Sequence, residues 1–323
     1  MASYAASRVL QTIVVLLVIS FIAFLLVQNL GDPLAVLLPP DASVAQRQAL
    51  IEQLHLNEPI VTRFVSFVND MLHGDFGISY RTQEPVSKLI AERFPATAEL
   101  AFVSLLITIF LGIPAGVYCG VHPRSWLSRA IMFTSIAGIT LPNFVVGVVL
   151  IAIFSVDLGW LPSFGRGTTV NLGFWTTGLL TRSGWEAIIL PAIALSTFQV
   201  TFVIRLLRTQ LMEVGRSEHI RFARARGLPE SRIWYVYAIK NTLLPVITMM
   251  GLQLGNIIAF SVVTENVFAW PGLGTLFLQS IQAADIPVIA VYLIFVGAVF
   301  MVINLAVELS YPLIDHRVLR RQA

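Results

Sequence analysis

Charge is what this sequence has least of. Only 12% of its 323 residues are Asp, Glu, Lys or Arg, about half the share of a soluble domain. Hydrophobic residues make up 56%, and mean hydropathy is +0.80. That balance argues against a soluble fold and for a membrane protein. There is one cysteine, Cys119, so no internal disulfide framework and no cysteine-rich metal site can form. Of the 21 basic residues only Lys88 and Lys240 are lysines, and neither follows a glycine run. The Gly-x-x-x-x-Gly-Lys-Ser/Thr cradle for nucleotide phosphates is therefore absent. The five histidines, His55, His73, His122, His219 and His316, show no i, i+4 pair, so no zinc-binding helix is expected. Neither Gly-x-Ser-x-Gly nor His-Glu-x-x-His occurs, which removes the usual hydrolase chemistries. Gly165-Arg166-Gly167 and Gly272-Leu273-Gly274 read as turns, because they lack the strand and helix of a dinucleotide site.

What the chain has in quantity is long apolar stretches. A bilayer core takes about 20 apolar residues per helix. Six runs qualify, at 9–30, 98–121, 130–155, 187–206, 246–268 and 287–311. Backbone in lipid must satisfy its own hydrogen bonds, so these runs are expected to be helices. The first run has 19 uncharged residues, Val9 to Val27, and no small-x-small site closes it. It reads as a retained span rather than a signal peptide.

Basic residues set the orientation. With the N-terminus inside, segments 1–8, 122–129, 205–245 and 312–323 hold 14 Arg and Lys in 69 positions. The opposite segments, 31–95, 156–186 and 269–286, hold 7 in 114. The positive-inside rule then places both termini in the cytoplasm. Trp160, Trp175, Trp185 and Trp270 fall outside, and Trp126 and Trp234 inside, as interface anchors at both surfaces would. The chain divides into 1–95, a span plus a long outer segment; 96–311, a five-span core; and 312–323, a cytoplasmic tail.

Several local patterns have a physical meaning. Ser43-Val44-Ala45-Gln46 reads as a capping box opening a short helix through Leu50, Ile51 and Leu54. Ile60, Phe64, Phe67, Val68, Met71 and Leu72 share one helix face. Gly112, Gly116 and Gly120, like Gly251 and Gly255, make small-residue faces for close helix approach, within the chain or between subunits. Pro114, Pro142 and Pro287 are expected to bend or start spans. Among polar residues in the spans, Gln253 and Asn256 are candidates for a translocation path, or for bonds to a neighbouring helix. Glu265 and Trp270, before and in a Trp-Pro-Gly turn, are candidates for an outer gate or a structural bond.

The cytoplasmic segment 207–245 is the most informative. Glu218 to Arg226 has helical spacing, Gly227 can end a helix in the left-handed conformation, and Pro229 suits the start of another. The segment reads as a helix-turn-helix that could lie in a partner's groove. Arg221-Phe222-Ala223-Arg224-Ala225-Arg226-Gly227-Leu228, followed by Asn241-Thr242-Leu243-Leu244-Pro245, resembles the coupling loop of ABC-importer permeases of the dipeptide/oligopeptide/nickel branch. That branch typically reads Tyr-x-Arg-Thr-Ala-Arg-Ala-Lys-Gly-Leu; here His219 and Phe222 replace its Tyr and Thr. Gly31-Asp32-Pro33, Gly74-Asp75-Phe76-Gly77, Leu158-Gly159-Trp160-Leu161-Pro162 and Trp270-Pro271-Gly272-Leu273-Gly274 are similar to further family signatures in the family's order.

The resemblance implies an ABC type I importer permease fold in the inner membrane. It implies a second homologous permease, two ATPase subunits carrying ATP and magnesium, an extracytoplasmic solute-binding protein, surrounding lipid, and no nucleic acid. It also implies peptide-like cargo moved by alternating access, with no cofactor and no catalysis in this chain. Ala223 and Gly227 would provide fit to an ATPase, and Arg221, Arg224 and Arg226 polar contacts. A self-contained ion-coupled carrier or channel is the rival class, expected to show internal repeats and a mid-membrane ionisable group.

Overall fold

A computed structural model describes residues 2–30, 43–46, 48 and 58–314. The predicted helix through Leu50, Ile51 and Leu54, the Gly31-Asp32-Pro33 signature and most of the C-terminal tail lie outside them. Among the described residues the protein is all-α apart from one small hairpin. In chain order the helices are α1 (Ala2–Leu30), α2 (Ile60–Leu72), α3 (Val86–Val121), α4 (Trp126–Thr140), α5 (Asn143–Asp157) and α6 (Arg182–Val214). Then come the short α7 (Glu218–Ala225), α8 (230–267), α9 (Leu273–Gln282) and α10 (Ile286–Ile314). Strands β1 (Val170–Asn171) and β2 (Thr176–Thr177) pair antiparallel between α5 and α6.

Among the described residues, α1, α3, α6 and α10 contain stretches long and apolar enough to cross a membrane, and the bent pair α4–α5 makes a fifth if it is one span. The run expected as a single span at 130–155 is thus two helices meeting at 109°. Proline explains the break. Leu141 is extended (φ −84°, ψ 127°), as a residue before proline prefers, and Pro142 caps α5 without an N–H to offer.

α6 is the hub, packed by α3, α4, α5 and α8. It starts where Thr181 accepts a hydrogen bond from the Gly184 amide at 3.0 Å. The glycine stripe of α3 faces it: a Cβ built on Gly116 would lie 2.8 Å from Leu207, and one on Gly120 2.7 Å from Leu211. Gly251 and Gly255 of α8 likewise lie against Val307 and Phe300 of α10. Both small-residue faces therefore serve contacts within the chain. α3 contains a wide i→i+5 turn at Thr108–Gly112, α5 one at Ile151–Asp157, and α8 one at Ile233–Ala238.

α1 runs antiparallel along α10, with Ala23 beside Ala290 and Ile294 and Arg8 paired with Glu308 at 3.3 Å. α2 lies on α1 through Phe64 and Phe67, whose rings meet Phe21 and Phe24 at 5.1–5.5 Å. The Ser43–Gln46 capping box is present, with Oε1 of Gln46 accepting from the Ser43 amide at 2.9 Å.

The connecting segments collect at two opposite ends of the long helices. Segments 74–85, 158–181 and 268–285 meet at one end, through Ser79 and Asp285 and through Gly165 and Phe268, and Arg166 ties the second of them to Glu99 of α3. Val117, Leu211, Ile220, Ala223 and Ile233 meet at the other.

Candidate functional site

The segment 207–245 is more compact than a helix-turn-helix of two short helices. α6 continues to Val214 and α8 begins at Glu230, so only 215–229 is a connection, and α7 is its one helix. No glycine interrupts 230–245, and the second helix runs straight into the next long one.

α7 ends as its sequence requires. Gly227 has φ +75°, where a side chain costs roughly 1–2 kcal/mol. Its amide donates to Arg224 O at 2.9 Å, and the Leu228 amide reaches back to Ala223 O at 3.3 Å. This is the paired closing pattern of a Schellman end. Leu228 then packs beside Ala223, Ile220, Leu211 and Ile233.

An eight-residue helix shows different residues on its two sides, and the eight candidates divide accordingly. Ile220 and Ala223 are buried against the protein's own α6 and α8. Arg221, Ala225, Arg226 and Gly227 are exposed, and Phe222 is 64% exposed. The Arg226 guanidinium lies 5.7 Å from the Phe222 ring centre, within cation–π reach. Ala223 therefore fits the protein itself, and Phe222 is the apolar group turned outward.

Arg224 is held across the Gly227 turn. Its Nε and Nη2 donate to the two oxygens of Glu230 at 2.6 and 3.2 Å, and its guanidinium lies 5.7 Å from the Trp234 ring. The hydrogen bond from Arg224 holds the Glu230 carboxyl below its ordinary range, and the same bond raises Arg224. A depressed carboxyl stabilises above its unfolded pKa and loses that contribution as pH falls through the folded one. The pair is thus intact at neutral pH and opens only in acid. Both groups are largely exposed, so the energy involved is small. Sequence reading missed Glu230; its signal was an acid six residues beyond an arginine, across a glycine turn.

At the opposite end, Glu265 and Trp270 are both buried. Glu265 accepts from Thr97 Oγ1 at 2.6 Å and from the Gly274 and Thr275 amides at 2.7 and 3.1 Å. Those amides open α9, where a helix favours negative charge. Trp270 donates Nε1–H to Ala96 O at 2.9 Å. It is not the interface anchor that its position in the sequence suggested, because its polar edge is bonded inside. Gln253 is half-buried on α8; Asn256 lies less than one turn further along, and its side chain is outside the described set.

Two further polar clusters escaped the sequence reading. Arg166 reaches Glu99 at 2.7 Å with both side chains buried, and also donates to Thr176 O at 2.7 Å. Asp285 accepts from Ser79 Oγ at 2.5 Å and from the Tyr80 amide at 3.0 Å. Burial and then Asp285 push the Tyr80 hydroxyl above its ordinary range. No group of three or more His, Cys, Asp or Glu suited to a metal occurs among the described residues.

Comparison with known proteins gives consistent matches. Residues 112–320 match the family described as binding-protein-dependent transport system inner membrane component, and 1–101 match its N-terminal companion. The chain is 37% identical to the oligopeptide transport system permease protein AppB of Bacillus subtilis (strain 168), covering 98% of this chain and 99% of the other. It is 35% identical to the dipeptide transport system permease protein DppB of Alkalihalophilus pseudofirmus, with the same coverage. It is 33% identical to the glutathione transport system permease protein GsiC of Escherichia coli (strain K12), covering 98% of each. Two crystal forms of the inward-facing MetNI methionine ABC transporter contain a chain of similar fold. Their TM-scores are 0.53 and 0.56 at 19% and 18% identity, over 70% of this chain and 96% of that one.

Proposed function

This chain belongs to the family of binding-protein-dependent transport system inner-membrane components, and from that premise we propose how it works. It is the membrane-spanning permease subunit of an ATP-driven importer, with the type I importer fold, in the inner membrane. Its cargo is a peptide or peptide-like solute, as its oligopeptide, dipeptide and glutathione relatives suggest. Six spans, with α8 as one and α4–α5 as another, put both termini on one side, and the positive-inside rule makes that side the cytoplasm. A second homologous permease completes the pathway, and an extracytoplasmic binding protein delivers solute. Two ATPase subunits, carrying ATP and magnesium, each receive one short cytoplasmic helix. α7 is this chain's share of that contact. Gln253 and Asn256 are candidates for the solute path, and the Glu265–Trp270 knot is a fixed frame for the outer gate.

The observation that carries this reading is α7 itself. It is a short helix anchored by Ile220 and Ala223 to the ends of two long helices, presenting Phe222, Arg221 and Arg226 outward. An apolar ring beside guanidinium groups suits a groove with an acidic rim. Movement of ATPase subunits on ATP binding then shifts the population between inward- and outward-open states. A self-contained carrier needs an ionisable group facing a mid-membrane cavity. Here Glu99 is taken up by Arg166, and Glu265 by Thr97 and two amides.

Phe222→Asp tests the contact. The variant is expected to insert normally but to lose co-purification of the ATPase subunits by about tenfold, a hot-spot-sized loss. Unchanged co-purification would remove α7 from the interface.

A further inference from the structure

Gly227 provides the turn between α7 and α8, closed on one side by the Schellman bonds and by Leu228 packed against Ile220, Ala223 and Ile233, and open where a side chain would stand. A Cβ built on Gly227 would meet nothing within 4 Å. Glycine at positive φ also has more backbone freedom than any other residue. What backbone freedom the glycine keeps at the junction would absorb displacement that the spans need to receive.

Three side chains close that freedom. Trp234, in the wide turn at the start of α8, lies against the backbone that ends α6: a Cβ on Gly215 would sit 2.5 Å from its ring edge. Arg224 of α7 lies over the same ring, 5.7 Å from its centre. Glu230, the first residue of α8, grips Arg224 with both oxygens. A bidentate guanidinium–carboxylate pair fixes an angle as well as a distance, because both groups are planar. The stack runs from the end of α6, through the start of α8, to the middle of α7.

We propose that Arg224, Glu230 and Trp234 form a brace that locks α7 to the ends of α6 and α8, so that a push on α7 moves both long helices together. Arg224 is then a positioning residue for energy coupling and not a contact to the ATPase. This rests on the permease reading above and adds to it the means by which displacement reaches the spans.

The test uses the complete transporter in vesicles, with permease pair, ATPases and binding protein, and reads solute moved per ATP hydrolysed. Arg224→Gln and Glu230→Gln are each expected to lower that ratio roughly fivefold, the low end of an allosteric coupling, with ATPase co-purification retained. The double variant is expected to be no worse than either single, because both remove one bond. Spin labels on Glu218→Cys and Arg232→Cys, in a Cys119→Ser background, are expected to show a broader distance distribution once Glu230→Gln is added. A normal ratio and an unbroadened distribution in Glu230→Gln would overturn the brace. So would loss of ATPase co-purification in Arg224→Gln but not in Glu230→Gln, which would make Arg224 a docking contact. Failure of the unaltered transporter to import solute on ATP would sink the permease reading instead.

Discussion

At the scale of single residues, Glu265 decides the shape of the outer loop. One carboxylate holds the Thr97 hydroxyl and two amides at the start of α9, and Gly272 and Gly274 leave it room, since a Cβ on either would run into its carboxyl group. Glu265→Ala strands three donors in a dry place, at roughly 1–3 kcal/mol each. The expected loss is at least about 3 kcal/mol, read as a lower midpoint in detergent denaturation. A midpoint within about 0.5 kcal/mol of the parent, the range of an ordinary surface change, would mean the donors have other acceptors. The sequence drew attention to Glu265, since an acid beside an apolar run is rare. It gave no sign of Thr97, 168 residues away, because tertiary pairing leaves no local pattern. Glu99 and Arg166 were missed for the same reason. Around Gly227, local rules sufficed for the helix end, but they grouped Arg221 to Leu228 as one surface. A helix turns 100° per residue, which is why Ala223 faces inward while Phe222 faces out.

At the scale of elements, hydropathy located the long helices well and their ends poorly. Mixed polar and apolar residues at 86–97 and 207–214 continue α3 and α6 beyond the apolar stretch, and α3 does so through the buried Pro95, because tertiary packing offsets the hydrogen bond that proline removes. The break within 130–155 was marked by Pro142, yet its 109° angle depends on packing around α6. The glycine stripe left two readings open, and the geometry places it on α6. Gly120→Leu is expected to push α3 off Leu211 and to destabilise by about 1–3 kcal/mol, the cost of overpacking. Thermal unfolding of the purified subunit measures this, and an unchanged transition would show that α6 yields freely.

At the scale of the whole molecule, the segments read as outer and inner gather at opposite ends, and the proposed orientation can be tested by labelling. A membrane-impermeant maleimide applied to intact cells should label Phe174→Cys, a fully exposed position in the hairpin turn, in a Cys119→Ser background. It should label Glu218→Cys only after the membrane is opened; labelling of both from outside would overturn the orientation. The wide turn at Thr108–Gly112 has a consequence for chain length itself. A wide turn takes in one residue more than a regular turn needs, so α3 accommodates that residue locally within Thr108–Gly112. The four-residue intervals of Gly112, Gly116 and Gly120 against Val203, Leu207 and Leu211 lie at its end and beyond. A homologue one residue shorter at 108–112 could run there as regular helix, and an alignment gap at the turn should leave the glycine register unchanged.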